Sequence, residues 1–140
     1  MSEKENEALA REAVEAFNRG DLDAAGRLFT ADYVDHDPSR AGLPTGPEGV
    51  KQAWSMMRAA FPDLHFTIED MIAEGDKVVA RFTMSGTHQG EFMGIAATGN
   101  RITITGIDIA RFENGKGVEH WANQDDLGMM QQLGVIPAPG

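Results

Sequence analysis

Apolar residues recur at helical spacing near the start of the chain. Leu9, Ala13 and Phe17 fall on one stripe of a helix, and the positions between them are mostly charged. Ser2 and Glu5 stand at the spacing of a capping box, in which each side chain accepts a hydrogen bond from the other residue's backbone. The pattern predicts an amphipathic helix that begins directly after Ser2.

Two further helices follow from the same kind of pattern. Gly20 suits the left-handed position that ends the first helix, and Asp21 can cap a second one. A Gly- and Pro-rich loop over Ser39–Gly46 is a candidate lid or rim, and the third helix then begins at Pro47 and is stopped by Pro62. The apolar positions are Leu22, Ala25, Leu28 and Phe29 in the second helix and Val50, Trp54, Met57 and Phe61 in the third.

The second half of the chain changes to the period of two that is typical of strands. Turn residues at 74–77 and 114–115 separate the apolar runs, while Gly86 and Gly106 inside them indicate bulges or sharp bends. Helices followed by an antiparallel sheet predict an α+β domain in which a curved sheet packs around three N-terminal helices and leaves a hollow between them. The predicted strands are Leu64–Ala73, Val78–His88, Arg101–Glu113 and a last one starting near Val118.

Composition and net charge narrow the classes of function that the sequence allows. A chain of 140 residues fits a single domain over residues 1–140. There is neither a long apolar run nor a pattern typical of a signal peptide, so we expect a cytoplasmic protein that does not enter a membrane. The net charge of −10 disfavours nucleic acid as a partner, and the lack of cysteine excludes a thiol nucleophile or thiolate metal site. A small hydrophobic molecule is the expected ligand.

The last strand carries the most suggestive side chains. Glu119, Trp121, Asn123 and Asp125 share one face, which would give a pocket an aromatic wall, an amide and a carboxylate. Asp126 directly precedes an apolar helical turn and is the better candidate for its cap, which leaves Asp125 available to take a proton from a ligand. The plainer interpretation is a packing anchor and a solvated carboxylate.

The four histidines divide into two pairs. His36 lies between two aspartates, yet neighbouring residues of an extended chain diverge, so a role in lining the cavity or stabilising a turn is favoured over a metal site. His88 adjoins a Gly-rich connection and either points into the cavity mouth or bonds the loop backbone. His65 and His120 are expected to be structural or exposed to solvent.

Candidate walls of the pocket come from large side chains on the predicted core faces. Core packing is the simpler role for each of them, although one edge of such a face can also contact a ligand. These candidates are Tyr33, Trp54, Phe82, Met84 and Trp121.

Four segments carry a resemblance to a known family. The order of helices and strands resembles the cone fold of nuclear transport factor two-like proteins, and the segments resemble the SnoaL-like polyketide cyclases, also called predicted ester cyclases. The resemblance covers nearly the whole chain. The segments are Tyr33-Val34-Asp35-His36-Asp37-Pro38, Gly86 to Ile95, Thr98-Gly99-Asn100-Arg101, and Glu119-His120-Trp121 through Asp125 to Gln132-Leu133-Gly134.

This resemblance implies a reaction and a set of roles. SnoaL-like cyclases close a ring of an aromatic polyketide ester by an intramolecular aldol condensation, without metal or cofactor, and the carboxylate matching their general base is Asp125. His36, His88 and Asn123 would then be polar contacts beside it. Dimers that form through the exposed sheet face are common in this superfamily, so a homodimer or a higher homo-oligomer is expected.

Three alternatives stay open at this point. A non-catalytic binder could keep the same cavity. A ketosteroid isomerase would need a tyrosine-based oxyanion hole, and Tyr33 is the single tyrosine; an epoxide hydrolase would need an Asp-Arg-Asp cluster, to which Arg81 or Arg111 could contribute. The strand Arg101–Phe112 also lacks the histidine and amide that characterised cyclases place beside the base.

Overall fold

Four helices, one 3₁₀ turn and five strands are present in the computed structural model, which describes residues 2–137. The helices pack on one face of a single sheet. The elements in chain order are α1 Glu3–Asn18, α2 Ala24–Leu28, β1 Phe29–Asp35, the 3₁₀ turn Pro38–Arg40, α3 Gly46–Ala60, β2 His65–Glu74, β3 Lys77–Thr87, β4 Arg101–Glu113, β5 Lys116–Gln124 and α4 Asp126–Gln132.

Helix α1 begins as the sequence predicts, whereas α2 begins later than predicted, at Ala24 with Asp23 in the N-cap position, and ends before Phe29. The backbone N–H of Glu5 donates to Ser2 Oγ at 3.1 Å and that of Ser2 donates to Glu5 Oε1 at 3.4 Å, which completes the capping box. Gly20 takes the left-handed conformation with a φ of 73°, and Asp21 Oδ1 accepts from the backbone N–H of Ala24 at 3.3 Å. These local contacts set the sharp corner between α1 and α2.

The sheet has the strand order β1-β5-β4-β3-β2. Strands β2 to β5 pair antiparallel, whereas β1 lies at an edge and pairs parallel with β5. The predicted α+β class, a curved sheet packed with N-terminal helices, is confirmed; the parallel edge strand is the difference. A parallel pair needs a long connection rather than a hairpin, and here α3 and three strands separate the partners.

Neither glycine inside the strands forms a bulge, so that part of the prediction is wrong, while the sharp bend named as the alternative stays a prediction. Gly86 pairs with Ile102 and Gly106 with Phe82 in an uninterrupted register between β3 and β4. A Cβ atom on Gly106 would lie 2.5 Å from the ring of Phe82, so glycine makes room for that ring. At both positions the absence of a side chain makes room for neighbouring side chains, and the hydrogen-bonded pairing of β3 with β4 continues.

Aromatic side chains join the helical layer to the sheet. Phe17 of α1 makes edge-on contacts with Trp54 of α3 and Phe66 of β2, at centroid distances of 5.7 and 5.0 Å. Phe66 in turn contacts Phe82 of β3 at 5.2 Å. Edge-to-face contacts orient the rings without stacking them flat. The two layers are thereby held around an open space.

Candidate active site

A cavity of about 800 Å³ lies between the helices and the inner face of the sheet. Tyr33, Trp54, Phe82 and Met84, four of the predicted pocket walls, all line it. Their contact with a substrate remains a prediction, but their placement suits that role. The volume falls within the range of cavities that hold a small organic molecule.

Methionine is concentrated around this cavity. Every methionine among residues 2–137 lines it, and these side chains come from α3, β2, β3, α4 and the loop between β3 and β4. The unbranched thioether is flexible and polarisable. The seven are Met56, Met57, Met71, Met84, Met93, Met129 and Met130.

Four charged side chains form a hydrogen-bonded line beside the apolar wall. His120 Nδ1 lies 3.0 Å from Asp35 Oδ1, and His120 Nε2 lies 3.0 Å from Asp108 Oδ2. At the other end, Arg40 Nη1 donates to Asp35 Oδ2 at 2.9 Å. We call Arg40, Asp35, His120 and Asp108 the polar row; Arg40, His120 and Asp108 line the cavity.

Strand pairing brings the members of the polar row together. Asp35 and His120 are register partners on the parallel strands β1 and β5. Ala110 of β4 pairs with His120, and Asp108, two residues earlier, points to the same inner face and meets the ring diagonally. Arg40 comes from the 3₁₀ turn Pro38–Arg40, which follows β1 directly.

The protonation state of the row follows from its contacts. Burial alone would lower the pKa of His120, but the hydrogen bonds to Asp108 and Asp35 outweigh it and raise that pKa to about 9. Burial alone would raise the pKa of Asp35, yet the hydrogen bond from His120 and the charges of His120 and Arg40 lower it to about 2. Near neutral pH, Arg40 is therefore a cation, Asp35 an anion and His120 a cation.

Asp108 ends the row with one oxygen free. Its Oδ2 is held by His120, while its Oδ1 has no hydrogen-bond partner within residues 2–137. The side chain is 28% exposed and lines the cavity. This oxygen is the position at which a proton from a bound molecule could be accepted.

Asp125 does not reach this cavity, which corrects the sequence-based placement. Its Oδ1 accepts from the backbone N–H of Gly128 at 2.9 Å, so Asp125, not Asp126, is the N-cap of α4. The residue is exposed, and its own N–H donates to Thr105 O. Its carboxylate is thus engaged in ending β5 and starting the helix.

Trp121 and Asn123 share a face of β5 with Glu119, as predicted, but that face is the outer one. The inner face of β5 carries His120 and Ala122 instead, and Trp121 and Asn123 do not line the cavity. Alternation along a strand fixes which residues point together; the strands and helices packed on it decide which set points inward.

The two candidate histidines also lie away from the cavity. His36 is on the outer face, where its Nε2 lies 2.7 Å from Glu119 Oε2 and its ring stacks on Trp121 at 5.1 Å. His88 is fully buried, and its Nδ1 lies 3.0 Å from Thr98 Oγ1 and accepts from the Thr98 backbone N–H at 3.2 Å. Of the two roles weighed for His88, the contact with the loop backbone is the one present.

Sequence reasoning missed all four members of the polar row. His120 was expected to be structural or exposed, and Asp35, Arg40 and Asp108 were not singled out as site residues. One signal was available: Asp108 interrupts an Ile-Asp-Ile run at a position whose neighbours in the period of two, Gly106 and Ala110, are small. Small neighbours leave room for a polar side chain on a core-facing strand.

A helical layer on a curved sheet, with an apolar cavity and a half-buried row of acid and base groups, defines a small-molecule site on a cone-shaped α+β fold. The family model of the SnoaL-like polyketide cyclases matches residues 7–133. The chain belongs to this family, which confirms the resemblance noted in the sequence and supports an enzyme of the cyclase type.

Relatives and solved structures agree with this assignment. The chain is 30% identical over 132 residues to the aklanonic acid methyl ester cyclase DnrD of Streptomyces peucetius, covering 90% of this chain and 88% of the relative. It is 30% identical over 122 residues to the nogalonic acid methyl ester cyclase of Streptomyces nogalater, covering 86% and 91%. The structure of TsrD from Streptomyces laurentii superposes with a TM-score of 0.88 at 32% identity, covering 97% and 99% of the two chains.

One negative finding concerns membranes. Within residues 2–137, no helix has both the length and the apolar character that crossing a bilayer would require.

Proposed function

We propose that this protein closes a ring of a polyketide ester by an intramolecular aldol-type reaction, with Asp108 as the general base. The observation that supports it is the free Oδ1 of Asp108, open to an apolar cavity while its Oδ2 is fixed by His120. Relatives named as methyl ester cyclases support the choice of substrate class.

The reaction needs a proton transfer and a carbon–carbon bond. Asp108 takes a proton from a carbon that lies next to the substrate's carbonyl groups, and the resulting enolate carbon attacks a second carbonyl carbon of the same molecule. The electron pair of that C=O bond becomes an alkoxide, to which Asp108 returns the proton. No atom is lost and nothing is oxidised, so the proposal requires neither metal nor cofactor.

His120 keeps the base in one orientation. Its ring donates to Asp35 and Asp108 together, so the ring cannot rotate without breaking a charged hydrogen bond on each side. Asp35 fixes the far side of the ring and is itself held by Arg40. A base positioned in this way contributes about 10²–10⁴-fold to a proton transfer.

The apolar wall supplies the remaining requirement, which is to hold two parts of one flexible molecule together. Aromatic and thioether side chains surround the cavity, and they favour a flat hydrophobic substrate over water. Proximity of the reacting carbons adds to the effect of the base. The expected ligand is therefore a small hydrophobic molecule that carries several carbonyl groups.

Turnover of an anthraquinone-type polyketide methyl ester tests this proposal. We expect the wild type to close the ring and Asp108→Asn to lose turnover by about 10²–10⁴-fold while the ester still raises its melting temperature. Asp125→Asn is the matched control, because it removes the other candidate carboxylate and should leave turnover nearly unchanged.

Three results would overturn the assignment. If the ester stabilises the wild type without turnover, the protein is a binder rather than a cyclase. If Asp125→Asn loses turnover and Asp108→Asn retains it, the base is the residue implied by the family resemblance. Incorporation of labelled oxygen from water into the product would instead indicate hydrolysis.

A further inference from the structure

We propose that Arg40 is a further catalytic residue, the group that binds the substrate oxygen on which negative charge develops. This inference rests on the proposed ring closure, which produces first an enolate and then an alkoxide. Neither His36, His88 nor Asn123, the donors expected from the sequence, lines the cavity. The donor has to come from elsewhere.

Cationic side chains are rare around the cavity. Among the described residues that line it, Arg40 and His120 are the two that carry positive charge near neutral pH. Both ring nitrogens of His120 already face carboxylates at 3.0 Å. Arg40 is therefore the cation with donors available for a ligand.

A count of donors supports this assignment. A guanidinium group has five N–H donors. Arg40 Nη1 donates to Asp35 Oδ2 at 2.9 Å, and Nη2 lies 3.5 Å from the sulfur of Met57; within residues 2–137 the side chain has no other acceptor. Because a thioether is a weak acceptor, a carbonyl or alkoxide oxygen that entered the cavity would replace it with a stronger hydrogen bond.

The turn that carries Arg40 is held in place by local contacts. Asp37 Oδ1 accepts from the backbone N–H of Ser39 at 2.9 Å and from its hydroxyl at 2.8 Å. The backbone N–H of Arg40 donates to Asp37 O at 2.9 Å. The Arg40 side chain is only 18% exposed and is held by Asp35, so the direction of its guanidinium is set before a ligand arrives.

The polar row places this cation and the base on one line. Asp35 accepts from Arg40 through one oxygen and faces His120 with the other, while His120 holds Asp108. In a substrate with conjugated carbonyl groups, the enolate charge spreads to oxygens well removed from the carbon that loses the proton. Arg40 and Asp108 are at the two ends of the row and on the wall of one cavity, so a molecule that spans the row can present the acidic carbon to Asp108 and such an oxygen to Arg40.

Turnover of the polyketide ester by Arg40 variants tests the role. Removal of one oxyanion donor costs about 10²–10³-fold in kcat, so Arg40→Gln should show a loss of that size with a smaller change in KM. Arg40→Lys should retain part of the activity, and guanidinium ions added to Arg40→Ala should restore some of it. Arg81→Gln, which breaks an exposed ion pair with Asp70, is the matched control and should behave like the wild type.

A binding measurement separates anion recognition from a structural role. We expect wild-type protein to bind a hydroxyanthraquinone more tightly as its phenolate than as its methyl ether, because only the phenolate presents a charged oxygen. Arg40→Gln should lose that preference while it binds the methyl ether as the wild type does. A variant that merely unfolded the turn would weaken both ligands alike, which would overturn the inference.

The two proposals can fail separately. Absence of ester turnover by the wild type would contradict the ring closure, whereas loss of the phenolate preference in Arg40→Gln would still assign anion binding to Arg40. Normal kcat and an unchanged phenolate preference in Arg40→Gln would remove Arg40 from the mechanism.

Discussion

His120 carries its proton because both of its ring nitrogens face carboxylates that are themselves held in place. Asp35 is fixed by Arg40, and Asp108 extends from the adjacent strand, so the ring gains two charged hydrogen bonds only in its protonated form. A neutral ring would leave one carboxylate facing a nitrogen without a proton. The folded protein is therefore linked to the protonation of this one residue.

The linkage predicts a loss of stability at alkaline pH. The pKa of His120 is about 9 in the folded protein and close to the ordinary value of 6.5 when the chain is unfolded. Because the folded-state pKa is raised, the stabilisation is fully present below pH 6.5 and is lost as the pH rises through 9. It amounts to a few kcal/mol, on the order of 3.

Urea unfolding of the wild type and of His120→Gln across pH 6 to 10 measures this effect. The difference in the free energy of unfolding between the two proteins should shrink from the acidic to the alkaline end. A difference that is constant over the whole range would show that the ring is not protonated in the folded state.

At the scale of single residues, the sequence correctly predicted which side chains of β5 share a face, but not which of the two faces is turned toward the helices. The alternation that puts Trp121 and Asn123 on one face and His120 on the other is correct, but the sequence does not state which face the helices cover. The choice between Asp125 and Asp126 as a cap depends on where β5 ends, and the structure ends it at Gln124. Asp35 entered only as part of a motif, because its partner His120 is 85 residues away.

At the scale of secondary-structure elements, the stability of helix α4 depends on its N-cap residue, Asp125. Asp125→Ala should lower the free energy of unfolding by about 0.5–2 kcal/mol, since the backbone N–H of Gly128 loses its acceptor. Asp125→Asn should be nearly neutral, because asparagine caps helices as well as aspartate does. Chemical denaturation measures both changes.

Activity of the same two variants distinguishes a cap from a base. Corrected for the folded fraction, turnover should stay near the wild-type level in both. If the two variants lose turnover equally, with stability affected only in Asp125→Ala, the carboxylate takes part in the reaction.

Most elements were predictable because their signals are local. The capping box of α1, the turn at Asn114–Gly115 and the bounds of β4 all follow from residues close together in the chain. The parallel pairing of β1 with β5 was not predictable in this way, since strand partners depend on the assembled sheet. That same pairing creates the contact between Asp35 and His120, so the missed topology and the missed site have one cause.

At the scale of the whole molecule, the outer face of the sheet is a candidate contact surface between two copies of the protein. Ile72 and Ile107 are 67% and 52% exposed, and Trp121 also lies on this face. Exposed apolar side chains on one sheet face favour burial against a partner. We therefore retain the homodimer as a proposal, with this face as the contact.

Light scattering on Ile107→Lys tests the proposed contact. The wild type should have the mass of two chains and the variant that of one, because a lysine at the centre of the face would be desolvated by the partner. Leu127→Lys, which changes an apolar residue of α4 that is 59% exposed, serves as the control and should remain dimeric. A wild type that is monomeric at all concentrations contradicts the proposal.

The shape of the cavity depends on the rotamers of the seven methionine side chains around it more than on the position of the backbone. Three rotatable bonds in each side chain let the wall follow ligands of unequal width without the movement of a helix or strand. The polar row has no comparable freedom, because its members are held by three strands and a capped turn and are joined by hydrogen bonds. With Asp108 as the proposed base, we expect selection among related substrates to depend on whether an acidic carbon reaches Asp108, and much less on the number of fused rings.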